Sequence, residues 1–302
     1  MKQFFSKTLL FSLLTICIFV AVYFVSDLLL NYRKGSFLRL KKNTAILFAG
    51  DSNIACNVND SLVNNAVNIA FNGESYMYTY LKLKNILEYN PQIKTVVINY
   101  SQVNLHKSAQ DTLLFRKQEV YNKNEAFNYL MKWPEIRILL EHNPKDYIFS
   151  LRESIINNYY RFFKTFQSQE TDYRNYDFGG YYFLAHNKLE EDKKKFLSKK
   201  YPFEKAAIQM QYLNKISILC KEKNANLILL NTPKHIFYLQ HMDKEMNEFW
   251  QNYSRNEIKD SILDYSSFEL PDSCYSDLGH LNYRGARVFS EDLNRYIKVN
   301  DN

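Results

Sequence analysis

The chain has 302 residues, 16% of them aromatic and only 7 of them glycine, which is material for a full hydrophobic core and excludes a disordered or low-complexity protein. Its net charge of +7 comes from 39 basic and 32 acidic residues. They are mixed along the chain, as between Asn187 and Lys205, a pattern of solvated helical faces that argues against a nucleic-acid partner.

Between Lys7 and Asp27 run 19 residues without a charge, enough to cross a hydrocarbon core as a helix. No small-x-small cleavage site follows, so the expectation is a retained signal anchor at residues 1–30, tying the protein to the membrane by a single pass. Lys2 and Lys7 precede the span, while Arg33, Lys34, Arg39, Lys41 and Lys42 follow it. Counted literally, the positive-inside rule favours a cytoplasmic domain, and charge alone leaves the topology open.

The rest, residues 31–302, fits one globular domain. "NTAILFAGDS" (Asn43 to Ser52) is a short apolar run with an abrupt polar end, as in a buried strand that leads into a loop. Asn65 to Ala70 predicts a second strand that ends at Asn72-Gly73, and Glu74 to Asn90 a helix closed by Pro91. Lys94 to Ser101 predicts a third strand. At about 105–200 the pattern breaks into aromatic, charge-laced helical pieces, read as a helical insertion or lid whose Tyr and Phe serve packing or stack on sugar rings.

Alternation then resumes with a helix from about Pro202 to Asn224, a strand from Ala225 to Pro233 and a helix around Asp243 to Tyr253. A strand from Ser261 to Ser266 and a last helix from about Asn282 to Lys298 complete the chain. Strand alternating with helix predicts an α/β fold with a parallel sheet, whose reactive groups collect at the carboxyl ends of strands. Ser52 sits at such an end.

A serine hydroxyl becomes a nucleophile when an imidazole takes its proton and a carboxylate fixes the imidazole. Among six histidines, His280 lies in "SDLGHLN" just before the last helix, with Asp277 three residues upstream. Taken alone, Asp-x-x-His is common, and Ser52 by itself reads rather as a helix cap or turn serine. Asp51 reads as a residue that holds the turn, and His106 is a candidate to line the site. Cys56 and Cys274 lack a positioned histidine, and the four cysteines lack paired metal-ligand spacing. His235 and His241 are six residues apart, which does not place two ligands on one helical face. Neither a metal nor a cofactor is expected.

Gly-Asp-Ser after the first strand, a Gly after the second and Asp-x-x-His before the last helix together resemble the SGNH (GDSL-type) hydrolase superfamily. The resemblance spans about residues 44–298, with the insertion unmatched. It implies a flavodoxin-like three-layer α/β/α fold with Ser52 as nucleophile, His280 as base and Asp277 as its orienter. It further implies an oxyanion hole made by the backbone N–H groups of Ser52 and Gly73. The third block departs from the family's Gly-x-Asn-Asp, reading "INYSQVNLHK" from Ile98 to Lys107. Asn104 is the best candidate there for the missing side-chain donor, with Asn99 behind it.

Degraded third blocks and a one-span anchor are similar to membrane-anchored members such as the D-alanyl-transfer protein DltD and the alginate O-acetylation proteins. That likeness implies an extracytoplasmic domain beside a membrane-bound O-acyltransferase, acting on a cell-surface carbohydrate or polymer. Esterase and O-acyltransferase chemistry share their first half-reaction and stay open. So does a catalytically silent scaffold of the same fold.

Overall fold

The structure is a computed structural model, and it describes residues 1–167, 178–197 and 202–300. Parts of the expected insertion, residues 168–177 and 198–200, lie outside the described residues. Five short strands form one all-parallel sheet: β1 (Ile46–Ala49), β2 (Ala66–Asn68), β3 (Thr95–Asn99), β4 (Asn226–Asn231) and β5 (Ser261–Asp264). Their order, β2-β1-β3-β4-β5, is the flavodoxin-like one, with β1 at the point where the winding reverses.

α1 (Lys2–Phe37) precedes the sheet, and α2 (Ser52–Asn57) and α3 (Tyr76–Tyr89) connect its first strands. Between β3 and β4 lie α4 (Lys107–Phe115), α5 (Lys117–Phe127), α6 (Trp133–His142), α7 (Pro144–Gln167), α8 (Leu189–Leu197) and α9 (Ala207–Glu222). α10 (Ile236–Gln240) and α11 (Lys244–Asn256) follow β4, and α12 (Tyr283–Asn300) ends the described chain.

Every residue of β1 and β3 is buried, which is why both read as unbroken apolar runs: a parallel sheet is covered on both faces. Alternate side chains divide between two cores. Leu47, Ala49, Val96 and Ile98 pack with α3 and α9 through residues such as Leu83, Ile86, Leu213 and Ile216. Ile46, Phe48 and Val97 pack with Ile54 of α2 and with Phe289, Leu293 and Ile297 of α12. Helices on both faces of one sheet make the three-layer α/β/α fold.

α9 starts at Ala207, several residues after the predicted Pro202. The intervening backbone is used elsewhere: Lys205 bridges His106, and the Ala206 N–H donates to the Leu105 carbonyl at 2.9 Å. Those bonds fasten the loop after β3.

α1 contains an apolar stretch, Gln3–Tyr32, long enough to cross a membrane and with no residue of its most apolar window buried. The helix runs on to Phe37, and its second half packs on the body of the protein. Leu30 and Ser26 are buried, the Asn128 amide donates to the Tyr23 hydroxyl at 2.9 Å, and the Asn158 amide to the Ser26 hydroxyl at 3.5 Å.

Candidate active site

β1 ends at Ala49, and the chain turns at Gly50 with φ +118°, where a Cβ would lie 2.0 Å from Asn99 Oδ1. Only glycine suits both the backbone conformation and that approach. The same Asn99 oxygen accepts the Asp51 N–H at 3.0 Å, so the turn is fixed from below by β3. Asp51 then caps α2: its Oδ1 accepts the Asn53 N–H at 2.8 Å. Ser52 is therefore the first residue of the helix and not its cap, and its hydroxyl is left for another partner.

That partner is His280. The Ser52 Oγ to His280 Nε2 distance is 2.8 Å, and His280 Nδ1 lies 2.9 and 3.0 Å from the two carboxylate oxygens of Asp277. Asp277 Oδ1 also accepts the N–H groups of Gly279 and His280, each at 2.8 Å. Burial pushes the Asp277 carboxyl up, but the His280 hydrogen bond and charge, with the two backbone donors, outweigh it and hold it below the ordinary carboxylate value. The His280 and Asp277 side chains are 27% and 32% exposed, so the chain of bonds is open to a ligand.

The loop carrying His280 is tied to the serine helix. The Leu281 N–H donates to Asn57 Oδ1 at 2.7 Å, and the Asn57 amide donates to Thr232 at the end of β4. Asn282 donates to the carbonyls of Ser273 and Tyr275, closing the turn before α12.

Gly73 has φ +66° and lies against the Glu119 carboxylate. Its loop is joined to the serine turn by the Phe71 N–H, which donates to the Gly50 carbonyl at 2.9 Å. Two buried cations hold the carbonyls of that loop: Lys123 bonds Asn72 O at 2.6 Å, and Lys82 bonds Ile69 O. Lys82 is paired with buried Glu74 at 2.5 Å. Neither Ser52 nor Gly73 spends its backbone N–H on another described residue.

Asn104 reaches the site in a different manner from the simple donor expected. Its Nδ2 donates to Asp51 Oδ2 at 3.0 Å, while its Oδ1 accepts from Asn99 Nδ2, Ser101 N and Ser101 Oγ. One N–H of the amide has no partner among the described residues. Asn99 belongs to the same buried network, its Oδ1 accepting from Asp51 and its Nδ2 donating to Asn104.

The remaining candidates have structural partners. His235 caps α10 and bonds Asp272 at 3.1 Å, and His241 stacks on Phe237. His106 caps α4 and lines a cleft of about 580 Å³ with Val103, Phe196, Tyr238 and Met246. Cys56 is buried in α2, and burial pushes its thiol up to about 12, far from thiolate chemistry. Among the described residues no group of three or more His, Cys, Asp and Glu is placed to hold a metal.

One residue was missed from the sequence. Lys234, just beyond β4, is buried and donates to Gly279 O at 3.1 Å and to Asn53 Oδ1. Its only signal was its position at the carboxyl end of a strand, the feature that also marked Ser52.

A family model matches residues 179–301, less than half of the chain; the match holds Lys234, Asp277 and His280 but not Ser52. No curated protein matches the sequence. Similar solved structures include a GDSL-like lipase from Bacteroides thetaiotaomicron, 9% identical with a TM-score of 0.36, covering 87% of this chain and 92% of the other. A candidate acylhydrolase from Bacteroides fragilis is 11% identical with a TM-score of 0.38, covering 89% and 94%. At these scores the likeness is distant and carries no argument about activity.

Proposed function

We propose that this chain is a membrane-anchored serine acyl-esterase or O-acyltransferase of the SGNH type, working through an acyl-Ser52 intermediate on a cell-surface carbohydrate or polymer. The observation that carries the reading is the unbroken chain of bonds from Asp277 through His280 to the Ser52 hydroxyl, at 2.9 and 2.8 Å. Attack of Ser52 Oγ on an ester carbonyl transfers its proton to His280 Nε2, while Asp277 holds the other ring nitrogen and stabilises the imidazolium. The oxyanion meets the N–H groups of Ser52 and Gly73 and the uncommitted amide N–H of Asn104. Each such donor is worth about 3 to 4 kcal/mol in the transition state. His280 then protonates the departing alcohol. Water or a sugar hydroxyl, deprotonated by His280, attacks the acyl-serine and frees Ser52.

The anchor reading is supported by the docking of α1. Cleavage after the apolar stretch would remove Ser26 and Leu30 from the contacts they make with the body. An extracytoplasmic domain working beside a membrane-bound O-acyltransferase extends the resemblance of the blocks to the DltD-like and alginate O-acetylation proteins.

A second reading, a silent scaffold of a surface-polymer complex, is favoured by one observation: Asn104 already spends part of its amide on Asp51. Burst kinetics with p-nitrophenyl acetate separate the two. The enzyme reading predicts a burst of p-nitrophenol stoichiometric with protein, absent in Ser52→Ala, and faster turnover when carbohydrate acceptors are added if the reaction is transfer. A folded wild type that releases p-nitrophenol no faster than Ser52→Ala supports the scaffold.

A further inference from the structure

Lys234 is 6% exposed, and its two hydrogen bonds go to neutral oxygens: the Asn53 side chain and the Gly279 carbonyl. Asn53 follows Ser52, and its amide bonds Asp51 Oδ1 at 2.9 Å. Gly279 lies between Asp277 and His280. One ammonium thus spans the segment that carries the serine and the loop that carries the histidine. Burying an ammonium among uncharged oxygens is costly, and an apolar side chain would fill the space at lower cost if packing were all that mattered. Burial pushes the Lys234 amine down to about 8, against the pull of the Asp51 and Asp277 carboxylates.

We infer that Lys234 is a positioning residue that locks the Ser52 helix to the His280 loop. The inference rests on the enzyme reading of Ser52.

The test measures the rate at which a fluorophosphonate labels Ser52 in the full chain in detergent. Lys234→Met is expected to label roughly 10- to 100-fold slower, as a slightly misplaced site does. Lys234→Arg, which keeps a cationic donor, is expected to recover part of the rate. Labelling of Lys234→Met at the wild-type rate overturns the inference and leaves the enzyme reading intact. A folded wild type that does not label overturns both. Should the Met variant not fold, the wild type decides: the Lys234 Nζ nitrogen resonance shifts when Ser52 is phosphonylated, and an unmoved resonance overturns the inference.

Discussion

Asn104 Nδ2 donates to Asp51 Oδ2 at 3.0 Å, so the loop after β3 is bonded to the residue immediately before the serine. Asp51 in turn caps α2 through its other oxygen. The position of Ser52 is therefore set from two strands, β1 through the turn and β3 through Asn99 and Asn104.

If Asn104 also supplies an oxyanion donor, Asn104→Ala lowers fluorophosphonate labelling of Ser52 by about 100-fold or more. The broken buried bonds lower stability by roughly 1 to 3 kcal/mol. Labelling kinetics and urea unfolding on the same variant separate the two effects. A loss of stability with unchanged labelling assigns Asn104 to the framework alone.

Gly50→Ala forces a Cβ onto Asn99 Oδ1 at 2.0 Å in a backbone conformation that side chains rarely adopt. The strain is worth roughly 1 to 3 kcal/mol, and relieving it moves the turn that presents Ser52. Lower unfolding free energy together with slower labelling is the expected result. A variant as stable as wild type contradicts the described turn.

Of the fold, β1, β3 and β4 were legible because buried parallel strands leave unbroken apolar runs, and the Gly-Asp-Ser and Asp-x-x-His blocks because each is local. The cap of α2 was not, since Asp51 and Ser52 are neighbours and both residue types cap helices. Lys234 was invisible because its partners, Asn53 and Gly279, stand 181 and 45 residues away. The late start of α9 has the same origin, a bridge from Lys205 to His106 that only the tertiary fold creates.

The Glu74–Lys82 pair beneath the Gly73 loop gives a third prediction. Burial pushes Glu74 up and Lys82 down, and their mutual attraction opposes both shifts. Lys82→Met leaves Glu74 buried without its cation and frees the Ile69 and Phe178 carbonyls, at a cost of about 3 to 5 kcal/mol. The double variant Glu74→Gln with Lys82→Met is expected to regain part of that loss in urea unfolding. Strict additivity of the two single changes contradicts the pairing.

The fourth concerns pH. Because Asp277 is held below its ordinary value in the folded protein, its contribution to stability is present above the unfolded-chain value of about 3.9 and is lost as pH falls through the lower folded value. Melting temperatures of wild type and Asp277→Asn, compared from pH 7 to 3, are expected to differ most at the upper end and to converge below about pH 4. A difference that grows on acidification reverses the sign and contradicts the described bonding of Asp277.

The most direct measurement is peptide mass spectrometry of the full chain in detergent after exposure to a fluorophosphonate. A working Asp277–His280–Ser52 array predicts a single adduct on the peptide that carries Ser52, slowed by orders of magnitude in His280→Ala and absent in Ser52→Ala. Folded wild-type protein whose Ser52 stays unmodified, or an adduct that persists elsewhere in Ser52→Ala, contradicts it.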